Sequence, residues 1–177
     1  MKKLISAAIL SLSILTHVQA ESYMDYVSLG LAMQTLQDSD SEDFNPLLND
    51  EKGMAIVVNA GKHLYEDISL EVEGTASVVQ TEWSLNGRTD VDFWSLGFYG
   101  AYIWRINNLS IKPRIGFVYE NMKATLGIDK IKDKADMGLS GGVGVSYQFN
   151  HNYSVYSNFT KFEDDMNHLT FGAEYKF

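Results

Sequence analysis

The chain has 177 residues, a formal net charge of −9, no cysteine, two prolines, 14 glycines, ten tyrosines and nine phenylalanines. Its length is that of one domain, and its acidic balance argues against a nucleic acid as partner. The lack of cysteine excludes disulfides, thiol chemistry and a lipid anchor on a cysteine. The abundant glycines and aromatics, with few prolines, favour many strands and few helices.

The first 20 residues have the pattern of a secretory signal peptide. Lys2 and Lys3 precede an apolar run from Leu4 to about Leu15, and small residues lead up to Ala20. The run is shorter than the roughly 20 residues that a membrane-spanning helix needs. The sequence therefore predicts a signal peptide over residues 1–20, cleaved near Ala20, followed by one domain over residues 21–177.

After residue 20 the sequence predicts eight β-strands, because apolar residues alternate with small or polar ones in stretches of about ten residues. Short connections at 63–67, 105–108 and 150–152 alternate with longer ones, as in an antiparallel meander whose long loops share one end. The eight predicted strands cover residues 26–34, 53–62, 68–78, 92–104, 109–120, 138–149, 153–162 and 169–177.

One residue of the fifth predicted strand disturbs this pattern. Pro113 has no N–H to donate to a neighbouring strand, so it would interrupt the ladder of a closed sheet. We expect a bulge at Pro113 or a strand that begins later than Leu109.

The two faces of the strands differ in a way that indicates a membrane environment. One face carries aliphatic and aromatic residues, whereas the other carries Gly, Ser, Thr, Asn and charges. A soluble up-and-down barrel has its apolar face inside. In a bilayer every backbone polar group must be paired, so strands span it only as a closed barrel, and tilted strands of about ten residues are long enough. The prediction is an all-β, eight-stranded, antiparallel up-and-down transmembrane β-barrel, with short turns in the periplasm and long loops outside.

Six charged residues fall on the predicted inner face. The interior of an eight-stranded barrel is just filled by side chains, and an unpaired charge there costs several kcal/mol. We therefore interpret these residues as a buried ion network that plugs the barrel, with a gated path for ions as the alternative. They are Glu71, Glu73, Lys112, Arg114, Glu120 and Glu174.

The first long loop is acidic, with Asp38, Asp40, Glu42 and Asp43 close together. Carboxylate oxygens are ligands that hard cations prefer, but the loop lacks the glycine and final glutamate of an EF-hand. The favoured interpretation is a solvated acidic loop. The alternatives are a Ca²⁺ site, or carboxylates that share Ca²⁺ or Mg²⁺ with lipopolysaccharide.

The next long loop, 81–91, contains an Asn-Gly hairpin signal with Trp83 and Arg88 nearby. An exposed tryptophan and arginine can anchor a protein contact. A loop tip at the lipid interface is an equal alternative.

The sequence contains weak candidates for a hydrolase site. His151 and Ser154 are close in sequence, and Glu163 or Glu174 could supply an acid, but the spacing does not match the lipid A deacylases. His63 and His168 are isolated, and a lone histidine is usually a polar surface residue. We predict no enzyme activity, no cofactor and no metal centre.

The signal, the eight alternating strands and the segments "IKPRIGFVYE", "LSGGVGVSYQF" and "LTFGAEYKF" together resemble the small bacterial outer-membrane β-barrels of the opacity-protein and OmpX/OmpA-barrel type. The resemblance implies a Gram-negative outer-membrane location and a monomer. It also implies a terminal strand read by the outer-membrane assembly machinery through Phe171, Tyr175 and Phe177.

The same resemblance implies a role without catalysis, in which surface loops serve adhesion or envelope integrity. The implied partners are outer-membrane lipid and lipopolysaccharide, the assembly machinery, and host or cell-surface ligands of the loops. The alternatives are a narrow channel for ions or small hydrophobic compounds, as in OmpW-like relatives, and, third, a lipid A-modifying enzyme.

Overall fold

The computed structural model describes residues 23–36, 52–79, 81–84, 88–126, 129–162 and 166–177. This part of the chain contains ten strand segments and no helix long and apolar enough to cross a membrane. The segments are β1 (Tyr26–Leu36), β2 (Lys52–Tyr65), β3 (Ile68–Val79), β4 (Thr81–Ser84), β5 (Arg88–Tyr102), β6 (Trp104–Ile106), β7 (Leu109–Leu126), β8 (Asp129–Gln148), β9 (Tyr153–Phe162) and β10 (Met166–Lys176).

These segments make eight strands of a closed antiparallel barrel, because β4 continues β3 and β6 continues β5. Each strand pairs with the next along the chain, and β1 pairs with β10. The closing ladder runs from Tyr26 opposite Lys176 to Leu36 opposite Met166 without a register shift. The predicted fold class and the pairing of the terminal strand with the first are confirmed.

The two ends of the barrel differ, as predicted. Tight turns join β2 to β3 at 66–67, β6 to β7 at 107–108 and β8 to β9 at 149–152. Asn107 has a φ of 55°, a left-handed conformation that asparagine tolerates in two-residue hairpin turns. We call this the short-turn end and the opposite end the long-loop end.

At the long-loop end, the connection between the fifth and sixth predicted strands is not a long loop. The prediction of a long connection there is wrong, because β7 continues to Leu126, β8 begins at Asp129, and the two pair to their ends. β4 and the start of β5 form a second hairpin, and β5 pairs with β7 up to Thr89 opposite Leu126. One side of the barrel wall is therefore taller than the other.

Pro113 perturbs its neighbour rather than its own strand. β7 begins at Leu109 and pairs with β8 through Pro113 without a bulge there, so the expected bulge or late start is wrong. On its other side β7 pairs with β5 and then with β6. The pairs opposite Pro113 and Lys112 are missing there, because β5 ends at Tyr102, β6 begins at Trp104, and Ile103 between them belongs to neither strand. The missing N–H is accommodated by a break in the partner strand, and the Ile103 N–H donates to the Asp67 carbonyl oxygen at 2.7 Å.

The predicted assignment of faces holds along the strands. Outward positions are apolar and open, such as Phe98 and Ile115, which are 56% and 70% exposed. Inward positions such as Ser69, Glu71 and Thr75 are buried. The structure thus turns its aliphatic and aromatic face away from the barrel axis.

Wall glycines make room for inward tyrosines. A Cβ added to Gly61 would overlap the Tyr26 ring, and one added to Gly97 would overlap the Tyr99 ring. Because each ring lies flat against a glycine backbone, large side chains fit inside a narrow barrel.

Other glycines let neighbouring strands approach each other, and this gives a test of the wall. A Cβ at Gly116 would overlap the Phe98 backbone, whereas a Cβ at the outward Gly74 would have no atom within 4 Å. We expect Gly116→Ala to lower the free energy of unfolding by about 1–3 kcal/mol, and Gly74→Ala to change it by less than about 0.5 kcal/mol. Urea unfolding of the protein in lipid vesicles measures both, and equal effects would contradict this packing.

Candidate functional site

The centre of the barrel interior is a buried arginine. Arg114 of β7 donates from Nη1 and Nη2 to the two carboxylate oxygens of Glu73, at 2.5 and 3.2 Å. Its Nη1 also lies 3.5 Å from Glu71, and its Nη2 donates to Thr160 Oγ1 at 2.5 Å. The guanidinium lies over the Tyr99 ring, 4.4 Å from the ring centroid. Arg114 therefore ties together four strands across the barrel.

Next to it, towards the short-turn end, Lys112 completes the network. Its Nζ donates to Glu71 Oε1 at 2.6 Å and lies 3.9 Å from Glu174 Oε2. Tyr26 OH also donates to Glu71 Oε1, and Asn59 Nδ2 donates to Glu71 Oε2 at 3.3 Å. The Glu71 carboxylate is completely buried and has hydrogen-bond donors from three strands besides its contact with Arg114.

The register explains why these charges meet. Inward positions recur every second residue, so Glu71 and Glu73 on β3 face the axis, as do Lys112 and Arg114 on β7. A charge buried without a partner costs several kcal/mol, and reciprocal pairing removes that cost. Five of the six residues predicted to point inward lie in this cluster, which we call the ion network (Glu71, Glu73, Lys112, Arg114 and Glu174).

The sixth residue, Glu120, is buried as well, but it lies elsewhere. It is six residues beyond Arg114 on β7, which corresponds to about 20 Å along a strand. Glu120 thus belongs to the part of the interior nearer the long-loop end.

That part of the interior also holds two small apolar clusters beside its buried polar side chains. Phe93, Val118 and Phe162 form one buried cluster, and a second consists of Ala32, Ala55 and Val57. All six occupy inward positions of their strands. The polar interior predicted from the strand faces thus also contains apolar side chains. The ion network lies in one half, and these six residues, which we call the apolar layer, lie in the other half among buried polar residues such as Gln34, Ser95 and Thr170.

His168 packs against this layer, so the expectation that it is a surface residue is wrong. It is 1% exposed, and its ring centroid lies 4.5 Å from Phe162 and 5.5 Å from Phe93. Its Nε2 is 3.1 Å from Gln34 Nε2, and Ser77 donates to Gln34 Oε1 at 2.9 Å. His168 thus links the apolar layer to a short polar chain across β10, β1 and β3.

The other predicted residues are dispersed. Phe171 and Phe177 are exposed on the outer face, and the Tyr175 ring lies 5.3 Å from that of Phe177. His151 is exposed in the turn before β9, whereas Ser154 is buried and its Oγ makes no hydrogen bond, so the pair has no catalytic contact.

The remaining candidates lie outside what the structure describes. These are the loop carboxylates of Asp38, Asp40, Glu42 and Asp43, residue Glu163, and the side chains of Trp83 and Arg88. Within the described ranges, no three His, Asp or Glu residues are arranged to hold a metal ion.

Comparison with known proteins agrees with this architecture. A family model described as "Outer membrane protein beta-barrel domain" matches residues 4–177. No protein with a curated description matches.

Solved structures of small bacterial barrels match most of the chain. Neisserial surface protein A (NspA) has a TM-score of 0.66 at 19% identity, covering 86% of this chain and 96% of its own. OprG of Pseudomonas aeruginosa has a TM-score of 0.64 at 14% identity, covering 87% and 96%. Ail, the attachment invasion locus protein of Yersinia pestis, has a TM-score of 0.60 at 16% identity, covering 87% and 99%. At these identities the likeness concerns the fold alone.

The stabilising role of the ion network is testable by removing its centre. Arg114→Met leaves Glu73 buried without its partner, so we expect a loss of about 3–5 kcal/mol in the free energy of unfolding. The matched control is Arg105→Met, which breaks an exposed 2.9 Å pair with Asp67 and is expected to cost less than about 1 kcal/mol. In the double variant Arg114→Met/Glu73→Gln, we expect part of the lost free energy of unfolding to be restored. If the effects of the two substitutions simply add, Arg114 and Glu73 are not directly paired.

Proposed function

The chain belongs to the outer membrane protein β-barrel family, and from that premise we propose that it is a non-catalytic barrel whose long-loop end is its working surface. In this proposal the long-loop end lies outside the cell and serves adhesion or envelope integrity. The barrel holds the loops in place, and the signal peptide over residues 1–20 is removed near Ala20 during export.

The observation that carries the proposal is the concentration of charge at one end. The loops and strand ends at the long-loop end contain fifteen acidic and seven basic residues, a net −8 out of −9 for the whole chain. They are residues 37–52, 79–92, 121–139 and 161–166. A strongly charged, extended surface on a rigid scaffold is typical of a recognition or lipid-bridging role.

The negative sign of this charge limits which classes of ligand the long-loop end can bind. Ail has been solved in complex with the heparin analogue sucrose octasulfate, a polyanion. A surface of net −8 repels a polyanion. We therefore propose neutral or cationic ligands for this chain, or lipopolysaccharide phosphates bridged to its carboxylates by Ca²⁺ or Mg²⁺.

The channel alternative has less support. A narrow channel needs a continuous path, whereas the ion network and the apolar layer each fill part of the interior. The lipid-modifying enzyme has less support still, because His151 and Ser154 make no catalytic contact.

We also propose that Phe177 belongs to the segment read by the assembly machinery. Its backbone N–H donates to the Asp25 carbonyl oxygen at 3.0 Å, so deletion of the residue would also remove a barrel-closing bond. Phe177→Ala keeps that bond and removes only the ring.

We expect Phe177→Ala to reduce the amount of folded protein in the outer membrane without reducing export. Fractionation and heat-modifiability on gels measure both quantities. The control is Phe149→Ala, which removes a more exposed ring at the same end, 61% against 39% exposed. Equal effects of the two substitutions would assign the loss to lipid contact instead of recognition.

The proposed function is tested by replacing residues 38–50 with a Gly/Ser linker of equal length. We expect cells that carry this variant to lose binding to target cells, or to become more sensitive to detergent and chelators, while the barrel stays folded. The control neutralises acids at the opposite end with Glu66→Gln and Asp67→Asn. If neither property changes with the linker, the loop is not the working surface.

A further inference from the structure

Three side chains form a chain of contacts at the rim of the short-turn end. Asp25, which precedes β1, accepts a hydrogen bond at 2.6 Å from the His63 backbone N–H, and its Oδ2 lies 3.2 Å from His63 Nδ1. On the other side of the imidazole, His63 Nε2 lies 3.4 Å from Arg105 Nη2. His63 therefore bridges a carboxylate and a guanidinium.

The two partners determine which ring nitrogen carries the proton. A carboxylate only accepts hydrogen bonds and a guanidinium only donates them. The neutral imidazole thus has its proton on Nδ1, facing Asp25, and its lone pair on Nε2, facing Arg105. This arrangement satisfies both contacts only while His63 is uncharged.

Each partner is also held by the backbone. Asp25 donates from its own N–H to the Gly61 carbonyl oxygen at 2.9 Å and accepts from the Phe177 N–H at 3.0 Å. Arg105 donates to the Glu66 carbonyl oxygen at 2.6 Å and to Asp67 Oδ1 at 2.9 Å. If the imidazole leaves Arg105, the arginine keeps these contacts on the turn between β2 and β3.

His63 and Arg105 line a small recess of about 20 Å³, which is large enough for a water molecule and partly open to solvent. Lys112 and Glu174 of the ion network line it. The Tyr26 ring also lines it and packs edge-on against the His63 ring at 5.5 Å. His63 and Arg105 thus share this recess with the ion network at the rim of the barrel.

A second proton on the imidazole, which gives the ring a positive charge, would act differently on its two neighbours. The Asp25 contact becomes an ion pair, whereas Nε2–H would point at the Arg105 guanidinium, donor against donor and cation against cation. The backbone hydrogen bond from His63 lowers the pKa of Asp25, which therefore remains a carboxylate wherever histidine changes charge. The other charged or titratable groups around His63 are Tyr26, Lys62, Glu66, Asp67, Lys112, Glu174 and Lys176.

We propose that His63 is a proton-operated latch on the short-turn end of the barrel. Uncharged, it joins Asp25 to Arg105 and narrows the recess. Protonated, it stays with Asp25 and gives up Arg105, which keeps its contacts with Glu66 and Asp67, so that the recess and the end of the ion network become more accessible to solvent. This device is independent of the proposed role of the loops.

The test uses the absence of native cysteine. Ser146→Cys places a single thiol in the recess, and Asn150→Cys places one in the exposed turn as reference. The rate at which each cysteine variant reacts with methyl methanethiosulfonate is measured in lipid vesicles at pH values from about 8 to about 5. The ratio of the two rates, each corrected for the measured thiolate fraction of its own cysteine, reports access to the recess. We expect this ratio to rise several-fold as the pH falls.

Each control adds one substitution to both cysteine variants. With His63→Gln, which cannot gain a charge, we expect the ratio to stay constant as the pH falls. With His151→Gln, which changes an exposed histidine at the same end, we expect the ratio to rise as before. A constant ratio with His63 present, or a rise that persists in His63→Gln, overturns the latch. If His63→Gln does not fold, NMR of the unsubstituted chain tests the latch instead. The Arg105 side-chain signal is expected to change with pH together with the His63 ring signal. An Arg105 signal that does not follow the His63 signal overturns the latch.

Discussion

The pairing of every backbone polar group is the constraint on which the rest of this structure depends. A bilayer core offers no water to an unpaired N–H or C=O, so a sheet that crosses it must close on itself. Here closure is the ladder between β1 and β10. With eight strands the closed wall encloses a narrow space, and both the inward glycines and the paired charges are consequences of that width.

Pro113 shows how strictly the constraint acts. The proline cannot donate, yet β7 keeps its register with β8 and the break appears across the barrel wall, between β5 and β6. The Ile103 N–H faces the other neighbouring strand and donates to the Asp67 carbonyl oxygen, one residue beyond the Ile68–Tyr102 pair at the end of the β3–β5 ladder. A missing N–H leaves an acceptor on the neighbouring strand without its partner, and here the break lies near the short-turn end rather than in the middle of the wall.

The number of strands, the face of each strand that points inward and the closure of the barrel were predictable from sequence. They follow from the alternation of apolar and polar residues along each strand and from the incompatibility of charge with lipid. The features that were missed have no such signal. Phe93, Val118 and Phe162 are apolar at inward positions, and only cross-strand register reveals that they meet. The extended start of β8 contains three lysines and three aspartates between residues 129 and 136, which suits a solvated hairpin as well as a loop. His168 is surrounded by residues distant in sequence, so its burial was not predictable from its neighbours.

The division of the interior has a consequence for the two ends of the molecule. The ion network lies toward the short-turn end, where turns are tight and Asp25, His63 and Arg105 adjoin it through Tyr26 and Lys112. The apolar layer lies toward the long-loop end, among buried polar side chains such as Gln34, Ser95 and Thr170. A buried charge responds to nearby charges far more than to distant, solvent-screened ones. The network is thus coupled to the protonation of the short-turn rim, while substitutions in the loops leave its pairing unchanged. Loops that do not influence the barrel core are free to differ in sequence, which is the condition for a recognition surface carried by a constant scaffold.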